Sequence, residues 1–202
     1  MSAQGSGRIF LHVRLLLAIV IGSYVLIVIF TYLHDHEARL SAASVSKISA
    51  QRLTADDVAG TYLPPSPNST EAGATIAGTD ANDNGIRDDV ELAIFGEYPT
   101  STATSTAIRS AELQYAMDLQ IQLTDVFDTD TWKAAVVQWG KGFSCLYDAS
   151  STGYGVFESE VENSVLNTKD RVGRYDSIQK YRVAYKLSSG PDCDVSREQG
   201  HA

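Results

Sequence analysis

An all-α fold is what the sequence predicts: an N-terminal transmembrane helix, then a linker, a lone oxygen-rich loop and a small three- or four-helix bundle. Three observations carry this expectation. Residues 15–33 form an apolar run without a charge. Beyond residue 99, apolar residues recur at three- and four-residue spacing, the periodicity of amphipathic helices. Alternation of period two, the mark of half-buried strands, is nearly absent along the 202 residues.

As a helix, the run from Leu15 to Leu33 would be about 28 Å long, close to the thickness of a bilayer core. Arg8 and Arg14 precede it, whereas His34, Asp35, His36 and Glu37 follow. The positive-inside rule then places 1–14 in the cytoplasm and the chain after residue 33 outside it. The run is longer than the apolar region of a cleaved signal peptide, and the small-residue site Ser41-Ala42-Ala43 lies well beyond it, so an uncleaved signal-anchor at 15–33 is expected. His34 and His36 offer only two imidazoles, too few for a zinc site, and read as a solvated interfacial cluster.

Residues 34–75 read as a stalk and a Pro-rich linker. The first part, to about residue 60, is polar and rich in Ser and Ala; Pro64-Pro65-Ser66-Pro67 then forbids helix and favours an extended chain. A loop and its exiting helix occupy 76–98. Residues 80–91 read D-A-N-D-N-G-I-R-D-D-V-E, with side-chain oxygens at loop positions 1, 3 and 5 (Asp80, Asn82, Asn84), Gly85 at the sharp turn, Asp88 at position 9 and Glu91 at position 12. This matches D-x-[DN]-x-[DN]-G-x5-E at every constrained site. Ca²⁺ is a hard cation that takes six to eight oxygens at about 2.3–2.6 Å. Asp80, Asn82, Asn84, the carbonyl of Ile86, Asp88 and a bidentate Glu91 would supply them. A metal-free Asx/Gly turn over Asp83-Asn84-Gly85 accounts for the turn formers but leaves Glu91 without a reason.

The loop resembles the calcium loops of EF-hands, dockerins and thrombospondin type 3 repeats. The longer stretch I-A-G-T-D-A-N-D-N-G-I-R-D-D-V-E (76–91) is similar to a segment of uncharacterised bacterial exported proteins, in which a helical region and a late Cys follow. That resemblance implies no activity. It departs from an EF-hand in three ways. Position 8 holds Arg87 where an aliphatic residue usually pairs two loops. No amphipathic helix enters the loop, and no second loop exists. Only three of the side-chain ligands are acidic, which points to weak affinity, on the order of 10⁻⁴–10⁻³ M, and to a structural ion.

The short exiting helix spans about 88–96, with Asp88, Asp89 and Glu91 at its positive N-terminal end. The helical domain, 99–202, begins with a helix over about 102–126, its stripe Ile108, Ala111, Tyr115, Leu119 and Val126. A second helix, about 130–146, takes Asp130 as N-cap and presents Trp132, Val136, Trp139, Phe143 and Leu146. The two tryptophans at helical spacing read as core rather than as a ligand-stacking pair. A third helix, about 156–187, carries Val161, Val165, Val172, Tyr175 and Ile178, with Gly173 as a point of kinking or splitting and Gly190-Pro191 as its end. Cys145 and Cys193, an even pair in an extracytoplasmic domain, predict a disulfide that closes a loop of about 48 residues and contributes roughly 4 kcal/mol.

After the membrane run the chain carries 14 basic residues against all 25 acidic ones, a formal charge of −11, which disfavours nucleic acid as a partner. A hydrolytic nucleophile beside a His is missing, since the only His away from the membrane run is His201. Glu158, Glu160 and Glu162 alternate along a helix and read as a solvated run. Phosphate-binding glycine loops are absent as well. The expected protein is therefore not an enzyme. It sits in the bacterial inner membrane with its C-terminal domain in the periplasm or outside the cell, binds one structural Ca²⁺, and serves as an interaction or envelope-assembly module with a protein partner in the envelope. The alternative is an enzyme or small-ligand-binding protein with a pocket between helices. A reporter active only outside the cytoplasm, fused after Ala202, is expected to be active; silence from a well-expressed fusion would reverse this topology.

Overall fold

The computed structural model describes residues 4–99, 102–150, 153–185 and 193–195. Among them there are helices and no strands: α1 (Gln4–Ala50), α2 (Ala55–Ala59), α3 (Ser69–Ala74), α4 (Asp88–Glu97), α5 (Ala103–Asp125), α6 (Thr129–Ala149), α7 (Tyr154–Val165) and α8 (Lys169–Ile178), with a 3₁₀ turn at Gln179–Tyr181. Two compact units divide the chain, 1–42 and 43–202.

In the first unit, the 15–33 stretch of α1 is apolar on every side and leaves that surface uncovered. Leu15, Leu26 and Phe30 are 58%, 68% and 71% exposed. In water such a helix would have to bury this surface; in a bilayer it need not. The two hydroxyls of the run bond back to their own helix, Ser23 to the carbonyl of Val20 at 2.9 Å and Thr31 to that of Val28 at 3.0 Å, so neither donor is left unsatisfied. One helix near the N-terminus is thus long and apolar enough to cross a membrane.

The second unit is built around α5. Every residue from Arg109 to Leu123 is buried, and α5 packs most extensively on α6 and α7 while also meeting α2, α4 and α8. The compact unit begins at residue 43, so most of the expected stalk and all of the proline-rich stretch belong to it. Ile48, Leu53, Val58 and Ala72 are core residues, and the Ile48 carbonyl accepts from Gln138 Nε2 at 2.9 Å.

Helix boundaries follow the local chemistry. Thr102 caps α5 through Ser105 N. The N-cap of α6 is Asp128, where Asp130 was expected. Asp128 Oδ1 accepts from Thr131 N at 2.8 Å while Thr131 Oγ1 accepts from Asp128 N at 3.1 Å, a reciprocal capping box that Asp130 could not form with the same partner. The expected third helix is two helices, and it breaks at 166–168 rather than at Gly173. Thr168 Oγ1 caps α8 by accepting from Arg171 N. The break resets the helical phase, which is why Val161, Val165 and Ile178 are buried whereas Val172 is 43% exposed. Gly190 and Pro191 lie outside the described residues, as does His201.

Trp132 is a core residue, 3% exposed. Trp139 packs against the core and donates through Nε1 to the Tyr115 hydroxyl at 3.2 Å. Cys145 and Cys193 form a disulfide, with Cα atoms 4.9 Å apart. It ties the late segment to α6, and Asp194 extends the tie by accepting from Leu53 N at 2.9 Å and donating its own N–H to Gln114 Oε1 at 2.8 Å. Reducing the bridge, or replacing both cysteines by Ala, is expected to lower stability by about 2–4 kcal/mol; identical melting curves with and without reductant would contradict this.

Candidate functional site

The loop 80–91 is held by its own polar groups. Asp80 takes up the first turn, Oδ1 accepting from Asn84 N at 3.2 Å and Oδ2 from Gly85 N at 2.9 Å. Gly85 lies in the left-handed region, at φ 84°, where a side chain would be strained. Asn84 Oδ1 accepts from Ile86 N at 2.8 Å, closing an Asx turn. Glu91, on the first turn of α4, is buried and receives both carboxamides: Asn82 Nδ2 at 3.1 Å and Asn84 Nδ2 at 3.0 Å.

Four of the six expected ligands, Asp80, Asn82, Asn84 and Glu91, are therefore gathered by one hydrogen-bond network. The remaining two are Asp88 and the carbonyl of Ile86. Asp88 is buried at the start of α4, and its Oδ1 accepts from Ala81 N at 2.8 Å. Ile86 is a core residue by its side chain, 1% exposed. Among the described residues, no three His, Cys, Asp or Glu side chains form a metal-holding group. The set at 80–91 is mixed, with two carboxamides among its oxygen donors.

One atom of this network has no partner. Asn82 Oδ1 is buried without a donor, although its Nδ2 is doubly used, by Glu91 and by the Tyr62 carbonyl at 3.1 Å. Turning the carboxamide over would set its oxygen against those acceptors, so the orientation is fixed and Oδ1 faces buried space. A buried oxygen left unpaired costs about 1–3 kcal/mol, and a cation would satisfy it.

The electrostatics agree with that need. Burial pushes the Glu91 carboxyl up to about 7, opposed by its two Asn donors and reinforced by the charges of Asp57 and Asp80. Burial likewise raises Asp80, against the Gly85 and Asn84 backbone donors. Negative charge is thus held at a cost here, and a divalent cation would offset it.

Two buried arginines fix the loop to the rest of the domain. Arg87, at loop position 8, is 1% exposed. It pairs with Asp89 and donates to the carbonyls of Ser164 at 2.7 Å and Val165 at 3.1 Å, the C-terminal end of α7. A cation at a helix C-terminus is favoured by the peptide dipoles. Arg171, fully buried, donates to the carbonyls of Ile76, Ala72 and Thr75, the stretch leading into the loop. Gln120 of α5 adds a bond from Nε2 to the Ala77 carbonyl at 2.8 Å. The sequence did signal Arg87, as the departure from an aliphatic residue at position 8. Arg171 and Gln120 carry no such signal, since each looks like an ordinary solvated helix residue.

The chain matches no protein-family model, no curated protein and no solved structure.

Elsewhere, two of the three glutamates expected as a solvated run do share a face. Glu158 and Glu162 stand one turn apart on α7, and the buried Tyr115 hydroxyl donates to Glu162 at 3.0 Å and approaches Glu158 at 3.5 Å. The spacing of four, not the alternation, was the relevant period. On α5, burial raises Glu112 to about 8, helped by Glu97 and Glu160 and opposed by the Tyr98 hydroxyl it accepts from.

These raised carboxyls set the pH dependence. The unfolded chain holds them near the ordinary 4.5, whereas the folded chain holds Glu91 near 7 and Glu112 near 8. The folded state therefore binds protons more tightly between these values, and stability falls as pH rises through them. Melting in EGTA is expected to show a higher midpoint at about pH 5.5 than at about pH 8, and Glu112→Gln, which cannot ionise, should flatten part of the slope. A midpoint that rises with pH would contradict this assignment.

Proposed function

We propose that the chain is a single-pass, membrane-anchored extracytoplasmic protein whose helical domain holds one structural Ca²⁺ in the loop 80–91 and serves as an interaction or envelope-assembly module. The orphaned Asn82 Oδ1, buried on the carboxamide whose Nδ2 bonds Glu91, is the observation that carries the calcium reading. Asp80, Asn82, Asn84 and Glu91 would hold the ion directly. Asp88 and the Ile86 carbonyl complete the proposed shell, Asp88 keeping one oxygen on Ala81 N as it does so. Exchange of the Asn84 and Asn82 donors for the cation frees the two Glu91 oxygens to bind as a pair.

The role of the ion is structural. Three acidic side chains give an affinity on the order of 10⁻⁴–10⁻³ M, suited to calcium outside the cytoplasm and too weak for signalling within it. The apolar surface of α1 and the two arginines before the run support anchoring with the domain outside. A small helical unit stapled by a disulfide and steadied by an ion is suited to displaying a surface to a partner in the envelope.

Thermal melting in millimolar CaCl₂ and in EGTA tests this. At free calcium about a hundredfold above Kd, binding adds roughly 2.7 kcal/mol, an upward shift of several degrees. Glu91→Gln is expected to remove most of that shift and to leave the helices folded, whereas Asp83→Ala matters much less. Superimposable wild-type curves with no calorimetric binding signal would reduce the loop to a turn.

A further inference from the structure

The loop meets the chain outside its own twelve residues in the segment 51–62, which follows α1. Asn82 Nδ2 donates to the Tyr62 carbonyl at 3.1 Å. The Gln51 amide lies so close to Gly85 that a Cβ on that glycine would overlap it. Asp57, which caps α2 by accepting from Thr54 N at 2.8 Å and Thr54 Oγ1 at 2.6 Å, is near enough for its charge to act on Glu91. Gln51, Thr54 and Asp57 share with Asp80, Asn82 and Asn84 the walls of one open cleft of about 760 Å³. Gln120 lines the same cleft, is 8% exposed, and leaves its Oε1 without a donor.

We propose that a cation in the loop acts as a clamp on residues 51–62, fixing the stretch of chain between α1 and the helical core, and that loss of the cation releases it. The inference rests on the calcium reading above. The Asn82 carboxamide is the linking group: its nitrogen holds the Tyr62 carbonyl while its oxygen is buried and unpaired, open to a cation. A cation at Oδ1 draws electron density from the amide and strengthens the hydrogen bond from Nδ2. It also offsets the mutual repulsion of the Asp57, Asp80 and Glu91 carboxylates. The clamped segment has little stability of its own. Helix α2 is five residues long, far below the length at which an isolated helix persists, and the segment buries two apolar side chains, Leu53 and Val58, with Leu53 N and Arg52 tied to Asp194. Segments of this kind open locally before the rest of a domain does.

Trypsin cleavage after Arg52, whose side chain is 42% exposed, reads the clamp in the intact chain in detergent micelles. CaCl₂ is expected to slow that cleavage about fivefold relative to EGTA, with MgCl₂ giving little effect, and to raise amide protection across 51–62. Glu91→Gln should cleave at the EGTA rate in either buffer. Asn82→Asp separates the two ideas, because it keeps an oxygen for the ion and removes the donor to Tyr62. It is expected to retain calorimetric calcium binding and to lose the protection. Wild-type protein that binds calcium yet is cleaved equally fast with and without it would overturn the clamp and leave the calcium site standing. So would Asn82→Asp protein protected as well as wild type. Absence of any calcium binding would overturn both.

Discussion

A helix with no exposed face cannot be amphipathic, and α5 between Arg109 and Leu123 has none. Its apolar residues need no comment, but Glu112, Gln114, Asp118, Gln120 and Gln122 are buried with them. Polar groups in that position are costly unless they are bonded. Three of them reach outward to chain that is not helical, although Gln120 Oε1 stays unpaired. Gln120 takes the Ala77 carbonyl, Gln114 takes Asp194 N, and Glu112 takes the Tyr98 hydroxyl. Each contact pins a connecting segment against the bundle. Asp118 is accommodated differently: Gly142 of α6 stands where any side chain would collide with its carboxylate, and burial beside Asp194 raises its pKa well above the ordinary range.

The candidate calcium loop inherits its position from this arrangement. Gln120 holds the residues before it, Arg171 holds Ala72, Thr75 and Ile76, and Arg87 crosses from the loop to the end of α7. Both arginines are buried; among the described residues Arg87 pairs with Asp89 and Arg171 forms no ion pair, so their charge is met chiefly by backbone carbonyls. Removing one side of such a contact leaves uncompensated groups, at a cost of about 3–5 kcal/mol in comparable buried pairs. Gly78 belongs to the same device. It adopts φ 68°, and a Cβ there would run into the Arg87 side chain. A lone loop, without the partner loop that would otherwise steady it, is thus steadied by two arginines.

What the sequence disclosed, and what it withheld, follows from the range of the forces involved. The apolar run, the boundaries of α4 and α5, and the disulfide were legible because each rests on local pattern or on two residues of one kind. The meeting of Asp80, Asn82, Asn84 and Glu91 was legible for the same reason, since all four lie within twelve positions. The roles of the polar residues on α5 were not legible. Gln114 and Gln120 look like the solvent face of an amphipathic helix, and only the packing of α2, α4, α6, α7 and α8 around them shows otherwise. Nor could the stretch 43–75 be placed, since Leu53 and Val58 are isolated apolar residues in a polar context and their burial depends on the groove they meet. The break at 166–168 was missed because Gly173 was the more conspicuous candidate, although Thr168 was already present as a cap.

A structure of the intact chain determined in CaCl₂, with anomalous scattering recorded to locate calcium, tests the central claim most directly. The account predicts one ion within about 2.3–2.6 Å of side-chain oxygens of Asp80, Asn82, Asn84 and Glu91, with the Asn82 nitrogen still on the Tyr62 carbonyl. A loop of the same conformation with no ion, or an ion bound elsewhere while Asn82 and Asn84 keep their bonds to Glu91, would contradict it.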